Sequence, residues 1–151
     1  MPINSLNSGQ PQPDAHHVHT LAVRVYYEDT DAGGVVFYAN YLKFMERGRT
    51  EWLRALGVGQ QSLSLEQRRG FVVTRLDMQY KSPARLDDML EITSRVTRLG
   101  RASLHFVQSV MRNGELLATG NIEIGCIDVD SLKPAALPKD LYHHLKASIQ
   151  E

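Results

Sequence analysis

Cysteine is almost missing from this chain of 151 residues. Its single thiol, Cys126, excludes an intramolecular disulfide framework and any multi-cysteine zinc site. Cys126 falls in an apolar run near the end of a predicted strand, so it reads as a buried, inert thiol rather than a nucleophile. Net charge is missing too. Lys plus Arg total 17 and Asp plus Glu total 17, so nothing marks a basic face built to coat nucleic acid. No window approaches the roughly 18 consecutive apolar residues of a membrane span. Met1 to Thr20 have no apolar core and do not read as a secretory signal. The expectation is a soluble cytoplasmic protein.

What remains is enough for one domain with a real core. Residues 1–19 carry too few apolar groups to offset ordering entropy and read as a disordered arm. Its end, His16-His17-Val18-His19, reads as a solvated tail that binds metal only adventitiously. A single domain is expected over 20–151. Leu21, Val23, Val25 and Tyr27 alternate with Ala22, Arg24 and Tyr26, which predicts a strand. Asn40 is an N-cap candidate for a helix over 41–56. Tyr41, Met45, Gly48, Trp52 and Leu56 share one face of it, with Leu42 and Leu53 beside them. Gly48 on that face would let the helix approach a sheet closely, and Gly57 would end it. A short second helix is predicted around 63–67. From Gly70 the apolar period switches to two and stays there, broken at Ser82-Pro83, Leu99-Gly100-Arg101 and the hairpin signal Asn113-Gly114. Pro138 opens a terminal helix. The order predicts an α+β domain, one antiparallel sheet with a long helix across one face and a meander of four strands after it. One helix covers only part of such a sheet, so a homo-oligomer is expected.

The segment richest in chemistry is Tyr26-Tyr27-Glu28-Asp29-Thr30-Asp31-Ala32-Gly33-Gly34-Val35-Val36-Phe37-Tyr38-Ala39-Asn40. It places acids and a Gly-Gly turn immediately before the predicted helix. There a carboxylate can act on a carbonyl whose developing charge is met by first-turn N–H groups. A calcium loop does not fit. With Asp29 at position one, position five is Gly33, which offers no side-chain ligand, and position twelve is Asn40, where a bidentate Glu is needed. Asp29 reads as a turn or capping residue. Asp31 is followed by Ala32-Gly33-Gly34, small residues that let backbone and ligand come close, and is the candidate catalytic acid.

These residues resemble the hotdog-fold acyl-CoA thioesterases, in particular the Tol-Pal-associated acyl-CoA thioesterases and 4-hydroxybenzoyl-CoA thioesterase. The likeness extends through Glu46-Arg47 to Glu51, through Tyr80-Lys81-Ser82-Pro83-Ala84-Arg85-Leu86-Asp87-Asp88 and into Ala136-Leu137-Pro138. It implies a hotdog fold, a five-stranded antiparallel sheet wrapped on one long central helix. It implies hydrolysis of an acyl-CoA thioester to the free acid and coenzyme A, with no metal and no cofactor beyond the coenzyme A of the substrate. Asp31 would be the nucleophile or general base, and N–H groups around Tyr38 to Tyr41 would polarise the carbonyl. Many Tol-Pal-associated members carry histidine where this chain has Tyr38. Tyrosine, with an ordinary pKa of about 10, is no proton shuttle at neutral pH but can line the site.

The same resemblance points to Gly34, Val35 and Phe37 as substrate contacts. It points to Arg98, Arg101 and Arg112, with Ser103, as contacts for the coenzyme A phosphates. Lys81 and Arg85 are weaker candidates, and Phe71 and Tyr80 could line an acyl pocket. Glu46 and Glu51 read as helix-surface partners of Arg49 and Arg47. The partners implied are an acyl-CoA and further copies of the chain, as dimer or tetramer, with a link to the Tol-Pal system or phospholipid metabolism by analogy and no nucleic acid. Two alternatives stand: a non-catalytic acyl-CoA-binding hotdog protein, and an enoyl-thioester hydratase.

Overall fold

The computed structural model describes residues 18–150. The expectations for residues 1–17, His16 and His17 among them, lie outside the described residues, but His19, expected in the solvated arm, is the first residue of the first strand and pairs with Ser94. The described elements are β1 (His19–Arg24), α1 (Asn40–Ala55), α2 (Gln60–Glu66), β2 (Arg69–Tyr80), β3 (Met89–Leu99), β4 (Ser103–Arg112), β5 (Glu115–Asp128) and α3 (Lys139–Gln150). A 3-10 turn over Tyr27–Asp29 replaces the predicted end of the first strand.

The strands form one antiparallel sheet in the order β1-β3-β4-β5-β2. Strict alternation builds its inner face. Leu90, Ile92 and Val96 of β3, Leu104, Phe106 and Val110 of β4, and Ile122, Ile124 and Cys126 of β5 are all buried. Asn113 and Gly114 both take positive φ, 49° and 83°, as a two-residue hairpin turn between β4 and β5 requires. On α1, the buried stripe is Tyr41, Phe44, Met45, Gly48, Trp52 and Leu53. Phe44, which the sequence pattern passed over, is completely buried. A Cβ on Gly48 would lie 3.0 Å from both Ile92 and Ser94 and 3.1 Å from Gln108, so the glycine sets how closely α1 lies on the sheet.

One expectation fails. The last four strands do not form a simple meander, because β2 pairs with β5 and lies at the far edge from β3's partner β1. The link from β2 to β3 contains Ser82-Pro83 and cannot close as a hairpin. It runs instead across the end of the β4–β5 hairpin. Lys81 and Ser82 N–H groups donate to Leu117 O at 2.8 and 3.2 Å. Arg112 then pins the crossing. Its Nη1 donates to Asp88 Oδ2 at 2.7 Å and to Pro83 O at 3.3 Å, and its Nη2 to Glu115 Oε1 at 2.8 Å.

This clip makes stability depend on pH. Burial pushes the Asp88 carboxyl up, but the Arg112 hydrogen bond and the Arg85 N–H outweigh it and hold it below its usual range. Arg112 likewise draws Glu115 down. Carboxylates held low stabilise the fold above their ordinary pKa, and that contribution is lost as pH falls through their folded values. Arg112→Met should therefore lower the melting temperature at pH 7. The gap from wild type should close as pH falls below about 4 in a thermal-denaturation series.

Candidate active site

The acidic segment folds into a small hairpin-like loop between β1 and α1. Thr30 bridges Val36, and Val35 bridges Arg85. Asp31 donates its N–H to Val35 O at 2.9 Å, and Gly34 donates to Asp31 O at 3.0 Å. Gly34 sits at φ +82°, in the left-handed region open to glycine. The Asp31 side chain is exposed. Its Oδ1 accepts from Gly33 N–H at 2.8 Å and from Val35 N–H at 3.4 Å. Among the described residues its Oδ2 makes no hydrogen bond. The loop thus aims a carboxylate by one oxygen and leaves the other free.

Asp29, two residues earlier, is the opposite case. It is buried, with both oxygens occupied. Oδ2 accepts from Tyr26 N–H at 2.8 Å and Oδ1 from the Asn40 amide at 2.9 Å. Its backbone O also accepts from Phe37 N–H at 3.1 Å. Asp29 therefore ties the end of β1 to the start of α1, the capping role read from the sequence. Asn40 is not the N-cap. It is the first helical residue, Ala39 holds the cap position, and the Asn40 side chain is spent on Asp29.

Aromatic residues frame the loop. The Tyr80 hydroxyl donates to Tyr38 O at 2.9 Å, and its ring meets Tyr38 and Tyr41 edge-on at 6.4 and 5.3 Å. Burial raises the Tyr80 phenol above its ordinary value, with Tyr41 and Tyr38 adding to it. The buried Tyr41 hydroxyl accepts from Ala84 N–H at 3.0 Å, and Ala84 O accepts from Val36 N–H at 2.8 Å. So the first turn of α1 fixes the 84–86 strip, and that strip fixes the acidic loop. Phe37 and Tyr38 are exposed at 48% and 65%, open to a ligand or a partner.

Of the predicted site residues, Asp31, Gly34, Val35, Phe37 and Tyr38 come together. The basic candidates do not join them within one chain. Arg112 is the clip described above. Arg98 lies on the outer sheet face in a cluster with Arg75, Asp77, His105 and Glu123. Arg101 and Ser103 occupy the β3–β4 turn, where Arg101 O accepts from Leu137 N–H. That turn is at the far end of β3 from Met89, a strand-length of about 33 Å from the acidic-loop end.

The helix-surface pairs expected around Glu46 and Glu51 also differ. Glu51 pairs with Arg54, Arg47 lies 5.9 Å over the Phe44 ring, and Arg49 turns inward to donate to Gln108 Oε1 at 2.9 Å. Gln108 is fully buried, and its amide nitrogen donates to Met45 O and Ser94 Oγ. A signal for it existed. Gln108 occupies an inward position between Phe106 and Val110, as Ser94 does between Ile92 and Val96, and a buried polar side chain must be paired. Cys126 is buried, and burial raises its thiol while Arg69 opposes, so it is not poised as a nucleophile.

A five-stranded antiparallel sheet with one long helix across its inner face is the hotdog arrangement. Residues 25–145 match the model of the thioesterase-like superfamily. The chain is 47% identical over 130 residues to the acyl-CoA thioesterase YbgC of Haemophilus influenzae, covering 84% of this chain and 96% of that one. It is 47% identical over 125 residues to the acyl-CoA thioester hydrolase YbgC of Escherichia coli, covering 82% and 92%. A probable thioesterase from Bartonella henselae superposes with a TM-score of 0.77 at 37% identity, covering 80% of this chain and 99% of that one. The chain belongs to the thioesterase-like superfamily, and within it to the hotdog-fold acyl-CoA thioesterases.

Proposed function

We propose that this protein hydrolyses an acyl-CoA thioester to the free acid and coenzyme A, with Asp31 as the attacking or base-supplying carboxylate. The observation that carries this is the Asp31 carboxylate itself: Oδ1 is held by two backbone N–H groups, and Oδ2 is unengaged among the described residues. As nucleophile it would add to the thioester carbon, expel the thiolate and leave an anhydride for water to cleave. As general base it would take the proton of the attacking water. The developing oxyanion would be met by N–H groups at the start of α1. The Asn40 N–H already donates to Phe37 O, so the remaining donors in that stretch are those of Tyr38, Ala39 and Tyr41.

The active unit would be a homo-oligomer. β2 is a sheet edge, and Val73, Leu76 and Tyr80 on it are 43–46% exposed. Edges of this kind invite pairing with a second copy. A two-fold pairing runs the second β2 antiparallel to the first. It would bring the Arg98–Ser103 end of one copy toward the acidic loop of the other, where the coenzyme A phosphates could reach Arg98, Arg101 and Ser103. Arg112, already held by Asp88 and Glu115, would support the loop rather than the phosphates.

A thiol-release assay over a panel of acyl-CoAs tests the reading. Stoichiometric release of free thiol and acid is expected. Binding without release would favour a sensor, and loss of the enoyl double bond without release would favour a hydratase.

A further inference from the structure

α1 starts without a side-chain cap. Ala39 holds the cap position in helical geometry, at φ −74° and ψ −18°, and has no side chain that could accept from the first turn. A helix entry ordinarily satisfies its first N–H groups with such a side chain. Here the Tyr38 and Ala39 N–H groups make no hydrogen bond among the described residues.

The carbonyl between them has an unusual partner. In a regular helix entry, Tyr38 O would accept from the N–H four residues on. The Leu42 N–H instead donates to Ala39 O at 3.1 Å, and the Asn40 N–H to Phe37 O at 2.8 Å. Among the described residues, the donor that reaches Tyr38 O is the Tyr80 hydroxyl, at 2.9 Å. Tyr80 is itself firmly held. It ends β2, where it pairs with Ala118, and the Lys81 and Ser82 N–H groups after it donate to Leu117 O. Its ring rests edge-on against the buried Tyr41. Burial raises its phenol above the ordinary value, so it stays a protonated donor throughout the neutral range. Among the described residues no peptide bond is cis, so the Tyr38 carbonyl and the Ala39 N–H lie in one trans plane and point opposite ways. Fixing the carbonyl therefore fixes the direction of the Ala39 N–H. A hydrogen bond to an amide oxygen also polarises that amide and strengthens its N–H as a donor.

We infer that Tyr80 is a positioning residue for thioester hydrolysis: its hydroxyl holds the Tyr38–Ala39 peptide so that the Ala39 N–H is aimed at the thioester oxygen. Tyr80 touches no reacting atom. It acts through the backbone, fixing in the resting protein a donor that would otherwise have to be ordered in the transition state. In Tyr80→Phe a water can take the place of the hydroxyl, but water is not anchored to β2, and the peptide is free to turn. The inference rests on the hydrolase reading, because the Ala39 N–H needs a thioester carbonyl to meet.

Tyr80→Phe removes the hydroxyl and keeps the ring contacts. Its kcat should fall at least about tenfold with KM within about twofold of wild type, because a transition-state donor is loosened and ground-state binding is not. The carbonyl stretch of a bound thioester supplies a readout that a merely structural role would not move. Hexanoyl-CoA and benzoyl-CoA, each isotope-labelled at the thioester carbonyl, are bound to Asp31→Asn, which turns them over slowly, and to the double variant Asp31→Asn, Tyr80→Phe. The infrared stretch should lie below its value in water in the first protein and move at least about halfway back in the second. Both readouts are taken well below the melting temperature of each variant, so a weakened fold does not enter. An unchanged kcat, a kcat loss matched by an equal rise in KM, or a stretch that Tyr80→Phe leaves in place overturns the inference. If wild type cleaves no acyl-CoA, the hydrolase reading falls, and the stretch still decides whether Tyr80 aims the donor.

Discussion

Asp31→Asn should lower kcat at least about a hundredfold and leave the melting temperature at its wild-type value. The two halves of that result have separate causes. The amide keeps an Oδ1 acceptor, so the hydrogen bonds from Gly33 and Val35 N–H that shape the loop survive. What it loses is the carboxylate charge. An amide oxygen neither attacks a thioester nor takes a proton from water at neutral pH. A hundredfold loss is about 2.7 kcal/mol of transition-state stabilisation, in the range expected when a catalytic group is removed and the oxyanion donors stay in place. Thiol release under saturating acyl-CoA, with a melting curve on the same preparation, measures both halves. Near-wild-type turnover would remove Asp31 from the mechanism.

Asp29→Ala should do the reverse in character, costing about 2 to 3 kcal/mol of stability. Asp29 is 6% exposed and accepts from a backbone N–H and a side-chain amide. Its removal leaves the buried Asn40 amide without its acceptor and costs the Tyr26 N–H its partner, and hydrogen bonds to a charged group are among the stronger ones. The damage falls at the junction of β1 and α1, so the loop that carries Asp31 loses one of its anchors. Turnover per folded molecule should drop far less than in Asp31→Asn. Denaturant titration gives the stability change, read from the midpoint at constant slope.

The two acids show how much the sequence could say. Asp29 and Asp31 are the same residue type in one short loop. Only the small residues after Asp31 marked it as the one a ligand could approach, and the family resemblance pointed the same way. The pairing of Asp29 with Asn40 was not legible, because Asn40 fits an N-cap equally well from sequence and only the path of the chain brings its amide to Asp29. The strand count and hairpins followed from a period of two and from Asn113-Gly114. The edge position of β2 did not, since alternation says which face is inward and nothing about neighbours; the Ser82-Pro83 break was a sign that no hairpin closes there. Gln108 and Ser94 were legible in principle as polar residues on an inward face. Arg49 was not, because spacing paired it with Glu46 on the helix surface. The contact at Gly48 draws α1 close to the sheet, and there Gln108 takes the guanidinium.

The most direct test of the account is one paired measurement: kcat per folded molecule and unfolding midpoint for Asp31→Asn and Asp29→Ala, assayed side by side against wild type with the same acyl-CoA. Asp31→Asn is expected to lose turnover at wild-type stability, and Asp29→Ala to lose stability while keeping most of its turnover. The opposite pattern, with catalysis abolished at Asp29 and retained at Asp31, would contradict it.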